Sequence, residues 1–394
     1  SSAREIFYQL KGGTVDYGKE HSRLFGHERF GRTFEGKFVE WSAERPIHMV
    51  AHSLGGLTVR KLQKLLDDNA FEGHETTGDW IVSVSTIATP HNGTILAHSV
   101  GIRADAPGRL IRGSLGWLML CVIHFLAFWK VRLYDVGMDQ YSMSVFDTQA
   151  SRALGLLVGL RDSPAESQDS VAYETTIEGA KQFNREVGAV VSEKTYYMSI
   201  VGDGSERRQL KLSEDAECGL PKRCLMLLRE AVIYLMASVF LGFLSLILVC
   251  THRRKLQSKV DGVPVGEWAE AHDGVVPVSS QSHPWLGLEK QVQVEEFPPE
   301  PEDLKPGIWY VEKTGKDHLG ICPLPAASDQ ADFLRKHLER LQSVEKHLLR
   351  SGRRATSAYS SHSDLSDSTL SMAETVGDVG DPWDSWDEVK YKTE

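Results

Sequence analysis

One short segment, residues 47–56 (IHMVAHSLGG), constrains the fold of this chain more than any other. Its first five residues are typical of a buried β-strand, and residues 57–67 (LTVRKLQKLLD) have helical periodicity. Between the two lies Ser53, with Ala51 two positions before it and Gly55 two positions after it. Acyl transfer by a serine uses this kind of tight strand-to-helix turn, in which small neighbours relieve the crowding. An ordinary strand-to-helix turn is the alternative interpretation.

The rest of the chain indicates a sheet covered by helices. Buried strands are predicted at residues 80–87 (WIVSVSTI) and 195–201 (TYYMSIV), and helices at 3–10 and 328–350. Residues 11–18 (KGGTVDYG) are predicted to form a loop. Because strands alternate with helical stretches, the expected fold class is α/β with a mostly parallel sheet.

Composition and charge exclude some classes of function. The apolar fraction of 41% and the charged fraction of 25% are ordinary for a globular protein. A net charge of −10 argues against a nucleic-acid partner, because phosphate backbones recruit clustered Lys and Arg. The five cysteines contain no CxxC pair and are odd in number, so they leave the compartment open, with the secretory pathway as one possibility.

A serine nucleophile needs a base and an orienting acid, and two downstream segments offer them. Asp273 lies in a turn (HDG) before a β-type run at Val275 and Val276, and His318 lies in a polar loop after the β-type run at 309–311. The order Ser, Asp, His is the one used on parallel sheets of this kind. Each signal alone is weak, since Asp-Gly pairs are common turns and the chain has 15 histidines.

These segments occur in the order found in a known family. The chain resembles the bacterial thermostable lipases of the staphylococcal and bacillar type and their plant lipase-like relatives, which are α/β-hydrolases with helical lid insertions. The matching stretches are KGGTVDYG (11–18), GHERFGRT (26–33), HMVAHSLGG (48–56), SVSTIATPHNGT (83–94), YDVGMDQY (134–141), TYYMS (195–199), DGVV (273–276) and DHL (317–319).

The resemblance implies a function and a set of site residues. It implies that Ser53 is the nucleophile, Asp273 the triad acid and His318 the general base, with the N–H of Leu54 as an oxyanion donor. It further implies hydrolysis of lipid carboxylic esters, as in triacylglycerol lipases, through an acyl-enzyme.

The resemblance also bears on metals. It implies a structural zinc site with His21, His27 and Asp139 as ligands, a donor set that suits zinc. The family's fourth ligand aligns with Ser1, which cannot replace an aspartate, so loop histidines without a metal are the alternative. No calcium is expected, because Gly320 and Pro325 stand where the family has acidic ligands.

The family's first strands, and the loop with its second oxyanion amide, correspond to sequence upstream of Ser1. We therefore expect N-terminal strands to be missing from the sheet. Loss of one oxyanion donor lowers the rate by a factor of about 100 or more, so the enzyme is expected to be incomplete.

Two apolar runs, at residues 115–129 and 231–250, are foreign to the resemblance. They place lid or membrane-interacting insertions at about 97–145 and 218–256 within a lipase-like domain of residues 1–350, which a disordered acidic, Ser-rich tail follows at 351–394. The second run is long enough to span a bilayer.

A single crossing by that run would put Ser53 and Asp273 on opposite sides of the membrane. The favoured interpretation is therefore a lid that docks on one leaflet, with a buried helix and a spanning helix as alternatives. A membrane-associated location is expected, with a lipid substrate and a membrane or lipid-droplet surface as partners.

Three functions remain at this point. The first is a serine hydrolase of lipid esters. The second is a catalytically impaired, lipase-like scaffold at a membrane, favoured by the foreign apolar runs and the tail. The third is another serine acyl enzyme, such as a thioesterase or an acyltransferase.

Overall fold

The computed structural model describes most of the chain up to residue 350. The described residues are 2–94, 96–99, 101–103, 110–111, 113–114, 116–117, 169, 171–204, 259–260, 263–264, 271–285, 292–298, 300, 303–318, 320–322 and 328–350. The predicted tail at 351–394 and most of both predicted insertions lie outside these residues.

The strands are short, as expected for a small α/β sheet. They are β1 (Gly13–Asp16), β2 (Phe30–Phe34), β3 (Ile47–His52), β4 (Ile81–Ile87), β5 (Tyr196–Gly202), β6 (Lys259–Val260), β7 (Val263–Pro264), β8 (Val294–Glu296) and β9 (Trp309–Thr314).

The helices range from one turn to six turns. They are α1 (Ser2–Lys11), α2 (Lys19–Phe25), α3 (Leu54–Asp67), α4 (Leu96–Ser99), α5 (Val171–Glu174), α6 (Ile177–Val187), α7 (Val278–Ser282) and α8 (Ser328–Arg350).

Five strands form one sheet in the order β3-β4-β5-β9-β8, and every neighbouring pair is parallel. The central strands β4 and β5 are buried at every position, as a strand covered on both faces should be. β3 lies at one edge and is half-buried at every position. The predicted parallel α/β sheet is confirmed.

Alternate side chains of each central strand pack into two different cores. In β5, Tyr197 joins an aromatic core that contains Phe7 and Trp41, whereas Met198 joins a core against α8. The aromatic core includes a stacked pair, Phe7 and Phe71, with ring centroids 3.7 Å apart. Helices therefore cover both faces of the sheet and fix the strand ends between them.

Two local predictions were wrong. The stretch predicted as a loop at 11–18 contains β1, which pairs antiparallel with β2 in a separate two-stranded sheet. The β-type run after Asp273 is not a strand: the chain bends there and enters α7. In both places the sequence is too short for periodicity to separate a strand from a bend.

The prediction of a membrane-associated location is corrected. Within the described residues, no helix combines the length and the apolar character that a bilayer crossing needs. α8 is long enough at 23 residues, but it carries charges such as Arg335, Glu339 and Lys346. Each charge at the centre of a bilayer costs about 3 kcal/mol. The run 231–250, on which the prediction rested, lies outside the described residues.

Candidate active site

Ser53 lies on a strained turn between β3 and α3. Its backbone has φ 53° and ψ −125°, a region that side-chain-bearing residues rarely adopt. A Cβ built on Gly56 would meet the Thr89 hydroxyl at 2.1 Å, so the first turn of α3 passes too close to this loop for any larger residue. The predicted tight turn thus sets Ser53 between the end of β3 and the first turn of α3.

The carboxyl group of Asp273 is held from one side by backbone donors. Its Oδ1 accepts hydrogen bonds from the N–H groups of Val275 (2.8 Å) and Val276 (2.7 Å), and the residue is 1% exposed. At the end of β5, a Cβ on Gly202 would lie 3.0 Å from the Asp273 Cβ. The absent side chain at Gly202 therefore makes room for the acid.

His318 bridges the other two residues. Its Nδ1 lies 2.7 Å from Asp273 Oδ2, and its Nε2 lies 3.0 Å from Ser53 Oγ. A buried carboxylate accepts from Nδ1–H, so Nε2 is left with a lone pair directed at the Ser53 hydroxyl. The structure brings together all three residues predicted for the triad, in hydrogen-bonding geometry.

Leu54 begins α3, immediately after Ser53. The first N–H groups of a helix have no partner within the helix, and they carry its positive dipole end. The amide of Leu54 is thus a donor at the positive end of α3, next in sequence to Ser53.

A buried arginine fixes α3 from behind. Arg60 is fully buried and donates to Asn184 Oδ1 (3.0 Å) and to the backbone oxygen of Gly188 (2.8 Å), which ties α3 to α6. Burial lowers the pKa of Arg60 to about 9. Arg60 also faces Nδ1 of His91 at 3.3 Å, and His91 is buried with its pKa well below the ordinary value, mainly through burial. This network holds the helix that follows Ser53.

A second row of serine, histidine and acid lies elsewhere on the sheet. Ser83 Oγ is 2.8 Å from Nδ1 of His48, whose Nε2 is 3.4 Å from Glu345 Oε2. Ser83 is in the middle of the sheet and 0% exposed, so no substrate can reach it. The row connects β3 and β4 to α8 and has a structural role.

Two of the three predicted metal ligands lie together. His21, His27 and Asp169 each offer a ligand atom, and these atoms all lie within 4.8 Å of one another. Nδ1 of His27 is 2.7 Å from the backbone oxygen of Glu28, an acceptor that places the hydrogen of the neutral ring on Nδ1. The predicted third ligand, Asp139, lies outside the described residues. The carboxylate that meets both histidines is Asp169, which sequence analysis did not single out.

Comparison with known proteins places this geometry in a family. Residues 1–220 match the model of the family described as "Lipase-like, C-terminal domain". A lipase of Staphylococcus hyicus is 31% identical over 225 residues, covering 53% of this chain and 33% of the relative. Lipase 1 of Staphylococcus aureus (strain MRSA252) is 26% identical over 364 residues, covering 88% of this chain and 45% of the relative. The chain thus spans less than half the length of these curated relatives.

Solved structures agree on the fold. The crystal structure of Staphylococcus hyicus lipase superposes with a TM-score of 0.60 at 23% identity and covers 87% of this chain and 82% of that chain. EstA from Clostridium botulinum gives a TM-score of 0.54 at 27% identity and covers 81% of this chain and 70% of that chain. The fold is that of an α/β-hydrolase, and the chain belongs to the lipase-like C-terminal domain family, with staphylococcal lipases among its relatives.

Proposed function

We propose that this protein hydrolyses carboxylic esters of lipids through an acyl-enzyme on Ser53. The observation that carries the proposal is the row Ser53–His318–Asp273, with distances of 3.0 and 2.7 Å, on a strained strand-to-helix turn. Similarity to proteins named lipases supports the choice of lipid esters as the substrate class. The alternative interpretation, an ordinary strand-to-helix turn, does not explain why a histidine and a buried acid form a hydrogen-bonded row with Ser53.

In the proposed mechanism His318 acts as a base and then as an acid in each half-reaction. His318 Nε2 takes the proton of Ser53 as Oγ attacks the ester carbonyl, and the Leu54 N–H stabilises the oxyanion. His318 then gives the proton to the leaving alcohol. In the second half, His318 deprotonates the water that attacks the acyl carbonyl, and it returns the proton to Ser53 Oγ as the bond to the carboxylic acid breaks. Asp273 holds the imidazole in the required tautomer and stabilises its cation.

The test is hydrolysis of a long-chain triglyceride emulsion by the wild type, Ser53→Ala and Asp273→Asn. We expect Ser53→Ala to reduce activity to background and Asp273→Asn to lower kcat by about 10⁴-fold, because the wrong tautomer of His318 would face Ser53. Ser343→Ala, on α8, is the matched control and should retain full activity.

Labelling by a fluorophosphonate separates the remaining functions. The reagent needs an activated serine, so a folded wild type that stays unlabelled and inert would leave the lipase-like scaffold as the function. Product analysis with and without an added alcohol separates a hydrolase from an acyltransferase, since only the latter forms a new ester in water.

We further propose that His21, His27 and Asp169 hold a structural zinc ion. Two imidazole nitrogens and a carboxylate oxygen are a donor set that zinc accepts, and His21 Nε2 already lies 3.1 Å from Asp169 Oδ2. When bound, the ion would cross-link α2 to the segment that precedes α5.

The zinc proposal predicts about one metal ion per chain, measured by elemental analysis. His27→Ala and Asp169→Asn should each lower both the metal content and the thermal unfolding temperature. His74→Ala, outside the cluster, should leave the metal content unchanged. A metal-free preparation whose unfolding temperature does not respond to added zinc would exclude the site.

A further inference from the structure

His52, the residue directly before Ser53, reaches the other histidine of the site. Its Nε2 lies 3.0 Å from the backbone oxygen of His318, and the two rings are 4.8 Å apart between centroids at an angle of 51°. His52 ends β3 and is half-buried. The proposed mechanism gives this imidazole no role.

The contact defines the protonation of His52. A carbonyl oxygen only accepts, so Nε2 of His52 must carry the hydrogen and donate it. Burial, followed by the neighbouring His318, lowers the pKa of His52 below its ordinary value, and the contact with the His318 backbone and the charge of Asp273 oppose this shift only in part. Near neutral pH His52 is therefore the uncharged tautomer with its hydrogen on Nε2.

The bond completes a clamp on the main chain of His318. On the other side of the residue, the His318 N–H donates to the backbone oxygen of Asp273 at 2.9 Å. In the following turn, the N–H of Gly320 donates to Asp317 Oδ1 and the N–H of Ile321 donates to the backbone oxygen of Asp317. His52 thus gives the loop that carries the base a direct bond to the strand that carries the nucleophile.

We propose that His52 is a positioning residue for the ester hydrolysis assigned above. Its neutral imidazole ties the His318 main chain to the end of β3 and so keeps His318 Nε2 within hydrogen-bonding distance of Ser53 Oγ. A displacement of about 1 Å at such a site can cost about 100-fold in rate. The same imidazole must stay uncharged, because a second cation 4.8 Å from His318 would oppose the imidazolium that forms in the transition state.

The test compares His52→Leu, His52→Gln and a control, His347→Leu, which removes a histidine far along α8. His52→Leu deletes the donor, and His52→Gln keeps an N–H donor at a similar distance from the backbone. We expect kcat to fall about tenfold in His52→Leu with KM unchanged, which corresponds to the loss of one hydrogen bond. His52→Gln should recover most of that loss, and His347→Leu should match the wild type.

The pH dependence gives a readout that a merely structural role would not change. In the wild type both His318 and His52 must be uncharged, so the acid limb of log kcat/KM should steepen toward a slope of two at its lower end. In His52→Gln the slope should stay at one. Equal slopes in the two proteins, or an unchanged kcat in a folded His52→Leu, would overturn the proposal.

A further measurement keeps this proposal separable from the proposed function. If the folded wild type neither hydrolyses esters nor reacts with a fluorophosphonate, the ester hydrolase assignment fails. Imidazole ¹⁵N NMR then decides the clamp on its own: His52 should be the Nε2–H tautomer, and His52→Gln should preserve the ring ¹⁵N shifts of His318 that His52→Leu alters. An Nδ1–H tautomer at His52 would refute the clamp. If His52→Leu fails to fold, the tautomer and the His52→Gln slope carry the test.

Discussion

Ser53 occupies a backbone conformation that its own side chain disfavours, and the surrounding bonds hold it there. Its N–H donates to the oxygen of Ile87 at 2.7 Å, and its carbonyl oxygen accepts from the Thr89 hydroxyl at 2.9 Å. Such conformations cost about 1–3 kcal/mol and persist where the neighbouring structure imposes them. The neighbouring strand β4 and the loop after it thus maintain the strain at the nucleophile.

Glycine at position 53 should relieve this strain. We expect Ser53→Gly to be more stable than Ser53→Ala by about 1 kcal/mol, because glycine adopts positive φ without a steric penalty. Both variants should be inactive. Urea unfolding measures the difference, and the pair Ser343→Gly and Ser343→Ala should show the opposite sign, since position 343 is helical. Equal stability of the two variants at position 53 would show that the turn is unstrained.

Ser53, Asp273 and His318 could be predicted from three local patterns that are weak alone but occur in the order of a known family. The patterns are a turn between strand and helix for Ser53, an Asp-Gly turn for Asp273, and a polar loop for His318. Gly202 and His52 gave no comparable signal. Gly202 matters through its distance to the Asp273 Cβ, and His52 through a contact with a distant main chain. Asp169 likewise gave no signal, because it meets His21 only through a contact between distant parts of the chain. Tertiary contacts of single residues leave no periodicity in a sequence.

The helix α8 covers one face of the sheet and buries a histidine beneath it. His337 is 2% exposed, and neither of its ring nitrogens has a hydrogen-bond partner among the described residues. Burial, followed by the charges of Arg340 on α8 and His48 on β3, lowers the pKa of His337 to about 4. Leu341 and Val344 on the same helix pack against Met198 and Tyr310 of the sheet. Protonation of His337 therefore opposes the docking of α8.

The consequence is a loss of stability in acid. The unfolded chain binds this proton near pH 6.5 and the folded chain only near pH 4. The contribution of neutral His337 to the free energy of unfolding is therefore fully present above about pH 7 and is lost as the pH drops toward 4. We expect His337 to remove about 2 kcal/mol from the free energy of unfolding by pH 5. Urea unfolding of the wild type and His337→Leu at pH 7.5 and pH 5 measures this contribution.

Other histidines with lowered pKa, such as His91, add to the acid dependence of both proteins, so the difference between the proteins is the relevant quantity. The exposed substitution Gln342→Leu controls for changes on α8. If His337→Leu loses as much stability as the wild type between the two pH values, His337 is not the group that titrates.

At the level of elements, amphipathic periodicity was enough to predict α8 with the bounds 328–350, and short runs rich in apolar, aromatic and β-branched residues were enough for β4 and β5. These patterns suffice because α8 buries one continuous face and the two strands are buried throughout. The pair β1–β2 was missed because Gly13 and the exposed positions of both strands produce no alternation. Short strands at a surface are specified by their partners.

At the scale of the molecule, the described residues on either side of the segment 205–270 meet at one point of the core. β5 ends at Gly202, and the N–H of Gly204 donates to the backbone oxygen of His272 at 3.0 Å. The described part of the segment between them, β6 and β7, forms its own two-stranded sheet apart from the five-stranded one. The two ends of the insertion are therefore held together by the core itself.

Replacement of residues 206–269 by a short Gly/Ser linker should therefore preserve the fold. The cost of closing a loop depends only weakly on its length, and insertions whose ends meet at a surface are tolerated well. We expect the shortened protein to unfold cooperatively and to react with a fluorophosphonate at Ser53. If the shortened protein fails to fold, and a shortened protein that also carries the strain-relieving Ser53→Gly substitution fails as well, residues 206–269 contribute to the core.

The place where the insertion rejoins the core has a use in protein engineering. Asp273, whose Oδ2 lies 2.7 Å from Nδ1 of His318, is the residue after His272, the point at which the two ends meet. A receptor domain grafted between Gly204 and His272 would have its C-terminus connected, through His272, to Asp273. A ligand that changes the separation of the receptor's termini would pull on Asp273 before any other residue of the row, and turnover would report the ligand. With the proposed ester hydrolysis as the readout, the joint between β5 and Asp273 is a natural input for a biosensor.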